Sequence, residues 1–181
     1  VIPLVFCQNR NVEILKKTIL DKFGYEKSVK DTYYLDELIY KYNSGASENE
    51  LLGVDLIKND IKNKNKPLFS NVDGIYFLTH EGGCGGATSD SITLCNLLAG
   101  YINNPNIAGA TVLSLGCQHA QINLLNQALK RIAPNTKKPV YFLEQQQSTS
   151  EPEFLADAIK KTFTGLILSL IHISEPTRPN F

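Results

Sequence analysis

Apolar positions along the chain fall into two alternating patterns, short unbroken runs and longer stretches with helical spacing. Val1 to Phe6 is a short apolar, β-branched run that predicts a buried strand. Asn9 or Asn11 can cap a helix in which Val12, Leu15, Ile19 and Phe23 recur at helical spacing, with Gly24 as its stop. The pattern blurs between Tyr25 and Lys66. There, Tyr33 to Tyr42 and Glu50 to Ile61 predict helices around the loop NSGASEN, and the lysine-asparagine run Lys62 to Lys66 reads as solvated. Alternation then resumes with a strand from Gly74 to Leu78, the loop His80 to Ala87 and a helix from about Ser89 to Ile102. A strand from Ala110 to Leu115 precedes a helix from about Ala120 to Ile132. A strand from Val140 to Leu143 precedes a helix from about Glu151 to Thr164, with Pro152 suited to its first turn.

Strand, loop and helix repeated four times predict parallel pairing, because parallel neighbours need crossovers of about a dozen residues. The strand runs are apolar on both faces, as when helices cover both sides of a sheet. The fold class expected is therefore α/β, a three-layer sandwich with a mainly parallel, Rossmann-like sheet. In such sheets the loops leaving the carboxyl ends of the strands collect on one edge, where ligands bind. The unusual residues sit just past those ends: Cys7 after the first strand, His80 and Cys84 after the second, Cys117 and His119 after the third, and Glu144-Gln145-Gln146-Gln147 after the fourth. Cys95 differs, lying mid-helix among Ile92, Leu94, Leu97 and Leu98, and reads as a small core residue.

Length and composition bound what this edge can do. The 181 residues suit one domain, and 43% hydrophobic with 20% charged content is ordinary globular material. Eighteen basic and eighteen acidic side chains cancel, which argues against a nucleic-acid or acidic-membrane partner. No run approaches the roughly 20 apolar residues of a membrane span. The opening VIPLVFCQNR lacks both an initiator methionine and a basic signal-peptide start, so a piece of a longer polypeptide is expected. Four cysteines without paired spacing fit reduced thiols in a cytoplasmic enzyme better than a secreted scaffold.

The loop His80-Glu81-Gly82-Gly83-Cys84-Gly85-Gly86 is the most informative stretch. Its glycines permit left-handed backbone and close approach of a ligand. It matches neither the P-loop nor the dinucleotide pattern, although backbone amides at the following helix start could receive an anion. A glycine-rich turn with a buried thiol is the plainer reading. Three loop cysteines with His80 and His119 could form a dispersed zinc or iron site, or a cysteine nucleophile with a histidine base.

These motifs, taken together, resemble the altronate/galactarate dehydratase family of sugar-acid hydro-lyases. The matching stretches are Pro3-Leu4-Val5-Phe6-Cys7-Gln8-Asn9, Val72-Asp73-Gly74 through Thr79-His80-Glu81-Gly82-Gly83-Cys84-Gly85-Gly86, Asn104-Pro105-Asn106-Ile107-Ala108-Gly109 through Leu115-Gly116-Cys117-Gln118, and Glu144-Gln145-Gln146-Gln147. The similarity covers most of residues 1–166 and is weakest from Tyr25 to Lys66. It implies removal of water from a polyhydroxy acid to give a 2-keto-3-deoxy acid, with altronate the first substrate and galactarate or sulfolactate the alternatives. It also implies iron(II), or another divalent metal, near His80, Cys84, Cys117 and Cys7. Catalysis then falls to His80 and Cys84, with His80 as first choice of base and His119 second. Gly82, Gly83, Gly85 and Gly86 can receive the substrate carboxylate, and Glu144, Gln145 and Gln146 can read its hydroxyls. Family members look longer, with a small β-rich N-terminal module and a further C-terminal α/β domain as partners in the same polypeptide; a homodimer is an open option. An isolated central domain could equally act as a binding or assembly piece without activity of its own.

The stretch Leu168 to Arg178, LSLIHISEPTR, resembles a sequencing adapter translated in frame. Residues 1–166 are accordingly expected to be the central domain and residues 167–181 a non-native tail, so His172 carries no chemical weight.

Overall fold

Val12, Leu15 and Ile19 share one stripe of a helix from Asn9 to Phe23 (α1), and all three are buried. In the computed structural model, which describes residues 1–25, 36–56, 67–69 and 71–173, that stripe packs with Leu113, Phe154 and Ala158. α1 stops where the sequence places its stop: Gly24 takes φ 74°, a left-handed cap that glycine adopts without strain. Its start differs from expectation. Neither asparagine caps it; Asn9 is instead the first helical residue and ties its side chain to the backbone of His80.

The strands are Ile2–Pro3 (β1), Ala110–Ser114 (β2) and Val140–Glu144 (β3), all parallel in the order β1-β2-β3. Ile2 pairs with Val112, and β2 pairs with β3 from Ala110–Val140 to Ser114–Glu144. The fourth expected strand, Gly74 to Leu78, is extended along the other side of β1 without becoming a regular strand. One pair of parallel-type bonds forms there, from the Val1 amine to Tyr76 O and from Leu78 N–H to Val1 O. The next donor on that side of β1 belongs to Pro3, which has no N–H, so the ladder cannot continue.

Helices cover both faces. α1 and the last helix, Glu151–Ile173 (α6), lie on one side with Leu113 and Leu143. The helices Thr88–Asn103 (α4) and Ile122–Ile132 (α5) lie on the other, with Cys95, Leu98, Ile102, Leu125 and Leu129 around Ile2, Leu4 and Val112. Leu113 and Val112 thus face opposite layers, as alternation along a strand requires. The three-layer α/β class expected from the sequence is what the chain adopts. α6 runs nine residues past the expected Thr164, because Leu166-Ile167-Leu168 continue an apolar helix-compatible run and the next proline is Pro176. None of the helices, among the described residues, is long and apolar enough to cross a membrane.

Residues 26–66 form a separate unit. It contains the helices Asp36–Asn43 (α2) and Glu48–Leu52 (α3). Gly45, at φ 77°, ends the first, and the Glu50 carboxylate accepts from both N–H and Oγ of Ser47 to start the second. The expected helix from Glu50 to Ile61 ends at Leu52, where Gly53 follows. The remainder of that expectation, together with residues 33–35 and Lys62 to Lys66, lies outside the described residues, as do residues 174–181 and the side chain of His172.

Candidate functional site

The loop after the Gly74–Leu78 segment is held down by backbone contacts that only glycine permits. Gly83 takes φ 98°, and a Cβ there would stand 2.4 Å from Leu4 O and 2.7 Å from Val5 Cα. Phe6 N–H donates to Gly82 O at 2.9 Å, and Ala120 N–H donates to Gly83 O at 3.0 Å. The inner half of the loop is therefore stapled between the turns that follow β1 and β2. Its outer half is different. Cys84, Gly85 and Gly86 are exposed, with φ 72° and 75° at the two glycines, and their N–H groups meet no acceptor among the described residues. The N-terminus of α4 beyond them already holds a negative charge, since the Asp90 carboxylate accepts from Ala87 N–H at 3.1 Å.

His80 is half-buried with both ring nitrogens engaged. Gly82 N–H donates to Nδ1 at 3.1 Å, so Nδ1 bears no proton and Nε2–H donates to Pro3 O at 2.8 Å. His80 thus satisfies the Pro3 carbonyl on the side where the ladder stops for want of a Pro3 N–H, and locks the loop to β1. For it to act as a base or bind a metal, one of these two bonds must open.

Glutamines and one asparagine dominate the rest of the edge. Gln8, fully buried after β1, donates to Gln145 Oε1 at 2.7 Å and to Ser114 O at 3.4 Å, which ties the ends of all three strands together. Asn11 donates to Gln8 Oε1 at 2.8 Å and to Gln145 Oε1 at 3.2 Å, while its own buried Oδ1 has no partner among the described residues. Gln118 is buried beside β2; its amide donates to Ser114 Oγ and Ala120 O and accepts from Gly116 N–H. Gln121 closes the same turn onto Gly116 O and Gln118 O. Gly116, at φ 120°, makes room for Gln146, whose Oε1 would be 2.5 Å from a Cβ there, and Gln146 N–H donates to Leu115 O. Glu144, ending β3, accepts from Gln147.

The expected site residues thus divide. The loops bearing Cys7, His80, Gly82 to Gly86, Cys117 and Glu144 to Gln146 do converge on the carboxyl edge, but Gln145 is spent on the internal network and Gln146 lies exposed against Gly116. Gln8, Asn11 and Gln118 are the residues that sequence reasoning passed over. The signal was present: Cys7-Gln8 and Cys117-Gln118 follow successive paired strands, each with the cysteine exposed and the glutamine buried. Cys95 sits in the core as expected, and burial pushes its thiol up to about 11. His119 is exposed.

The donor set does not fit the expected iron site. Among the described residues, no three His, Cys, Asp or Glu side chains gather closely enough to hold a metal ion. The nitrogens of His80 are committed to backbone, and no step below is routed through a metal.

Comparison with known proteins gives the edge its context. The family model described as D-galactarate dehydratase/Altronate hydrolase, second domain, matches residues 1–167. The chain belongs to this family. Two curated relatives resemble it, each over 81 residues: an altronate dehydratase of Bacillus subtilis (strain 168) at 35% identity and one of Escherichia coli (strain K12) at 30%. The matched stretch is 45% of this chain and 16% of each relative, so the chain spans a small part of their length. No solved structure matches the chain.

Proposed function

We propose that this domain supplies substrate-facing loops to a sugar-acid hydro-lyase, with altronate as the substrate. The observation that carries the reading is the convergence of the family's motif loops on one strand edge, the inner residues tied together and Cys84, Gly85, Gly86 and Gln146 left facing outward. Loss of water from such an acid needs removal of a weakly acidic proton beside the carboxylate and departure of hydroxide. Amides that meet the carboxylate as charge grows on it lower that barrier. The N–H groups of Cys84, Gly85 and Gly86, which meet no acceptor among the described residues, can serve this, and Gln146 and Glu144 are suited to the substrate's hydroxyls. His80 serves as a positioning residue, holding Gly82 and with it the angle of the amides. An iron(II) would have to draw ligands beyond the groups described above.

The incomplete donor set and the committed nitrogens of His80 favour a contributing domain over a self-sufficient enzyme. The test is made on the full-length polypeptide carrying this domain, offered altronate, galactarate and sulfolactate in turn. We expect a 2-keto-3-deoxy acid from altronate at the highest kcat/KM, and Gln146→Ala to raise KM by about tenfold with kcat largely kept, the signature of lost ground-state binding. Absence of keto acid with all three acids would defeat the reading; preference for galactarate, or sulfite release from sulfolactate, would move the substrate within the family.

A further inference from the structure

At the opposite, amino edge of the sheet lies a cavity of about 740 Å³. Its walls include Gly74, Ile75 and Tyr76 on one side and Gly109, Ala110 and Thr111 on the other, with Val1 and Ile2 at its end. Those two walls are the neighbours of β1 on its left and right, so the cavity is the slot into which β1 would run if prolonged on its amino side. β1 has two residues, while β2 and β3 have five each, and Ala110 has no partner on the β1 side.

We propose that this slot takes an extended apolar peptide segment, the residues joined to Val1 N in the longer polypeptide, as a prolongation of β1 between Gly74–Tyr76 and Gly109–Thr111. The inference goes beyond the catalytic reading and does not depend on it. The register fixes the bonds. Ala110 N–H donates to Pro139 O on the β3 side, so alternation turns Thr111 N–H toward the slot, where Thr111 is almost wholly buried. Leu4 N–H donates to Leu113 O on one side of β1 and the Val1 amine donates to Tyr76 O on the other. Continued two residues back, this pattern lets the residue before Val1 donate to Gly109 O and accept from Thr111 N–H. The residue preceding that one donates to Gly74 O and accepts from Tyr76 N–H. A buried N–H without an acceptor is costly, and a peptide carbonyl in the slot removes the cost.

A further observation supports a peptide there. A Cβ on Gly74 would meet nothing within 4 Å, so this wall faces open space. Side-chain direction follows from alternation: Val1 packs toward α6 and Ile2 toward α4. The residue before Val1 therefore points at Tyr101 and Ile102, and the one preceding it at Thr162 and Leu166. Both sides favour apolar, β-branched residues. The family match, which describes this domain as the second, is consistent with chain arriving from a first.

The test compares three chains by amide hydrogen exchange and thermal unfolding: the chain beginning at Val1, the chain with Thr-Val-Val joined to Val1, and the chain with Thr-Pro-Pro there. The apolar extension is expected to slow exchange at Thr111 and Tyr76 by at least about tenfold and to raise Tm by a few degrees. Thr-Pro-Pro keeps the two carbonyls but lacks the donors to Gly109 O and Gly74 O, so it is held in the slot less firmly and is expected to raise protection and Tm clearly less. Unchanged exchange at Thr111 with Thr-Val-Val, or equal protection from both extensions, overturns the proposal. Protection that appears only with dimer formation in sedimentation would assign the slot to a second copy and overturn it too.

Discussion

The two edges of one sheet are finished in opposite ways. At the carboxyl edge, amide side chains of Gln8, Asn11, Gln118 and Gln145 satisfy the strand ends, and Gly83 presses directly on the backbone of Leu4 and Val5. At the amino edge a cavity separates the flanking strands, and Gly74 faces open space. The same parallel ladder supports both. What differs is the material beyond the last ladder bond: at the carboxyl edge, buried side chains behind the outer loops close it. The cysteines and outer glycines can stay exposed because buried glutamines behind them hold the loops in register.

The sharpest way to break the contrast is to add one methyl group at each edge. At Gly83 the new Cβ would strike two backbone atoms in a left-handed conformation, and neither neighbour is a flexible side chain. Gly83→Ala is expected to cost about 3 kcal/mol or more in urea unfolding, combining overpacking with backbone strain. Gly74→Ala meets nothing within 4 Å and needs no positive φ. It is expected to be neutral or to stabilise by about 0.5 kcal/mol through the unfolded chain. Equal costs at the two glycines would mean that the edges are not differently packed.

The amide network sets the next effect. Gln8→Ala removes one of the two bonds at each of Asn11 Nδ2 and Gln145 Oε1, takes a donor from Ser114 O and opens a void in the buried edge, for an expected loss of about 2–3 kcal/mol. Gln145→Ala should cost less, because Gln145 is only half-buried and its loss leaves Gln8 bonded to Ser114 O. A double-mutant cycle on the pair should return a coupling of about 1–2 kcal/mol, since the two amides share one bond and a common partner in Asn11. Strict additivity would show that the strand ends are held independently.

Much of this architecture was legible in the sequence, and the reason is physical. Apolar runs buried on both faces announce parallel strands, and helical spacing with a glycine stop announces α1; neither depends on distant partners. The Gly74–Leu78 strand was misread because its pairing depends on β1, where Pro3 removes a donor, and that effect belongs to the neighbour's composition. Glu50 to Ile61 failed locally, at Gly53. The loops bearing Cys7, His80, Cys117 and Glu144 were placed on one edge by topology alone. Their internal division was not, because a glutamine carries no mark of whether it faces solvent or closes a network, and the pairing of His80 with Pro3 spans 77 positions in sequence.

Lys138 supplies the smallest effect and shows that the amino edge is not left wholly open. Its ammonium donates to the carbonyls of Ile102, Asn103 and Asn104 at 3.2, 3.0 and 2.6 Å, which are carbonyls at and just beyond the end of α4. These acceptors have no helical partner and sit at the negative end of the helix dipole, so one cation answers several of them at once. α4 starts at the carboxyl edge against Asp90 and ends at the amino edge under Lys138, so the helix joins the two regions with its dipole answered at both termini. Lys138→Met keeps most of the apolar stem and removes the donors, and is expected to cost about 1–2 kcal/mol. Faster hydrogen exchange should be confined to the last turn of α4, with the Gly82–Gly86 loop unchanged. Loosening of that loop as well would mean that α4 transmits strain between the edges and that they cannot be treated as independent.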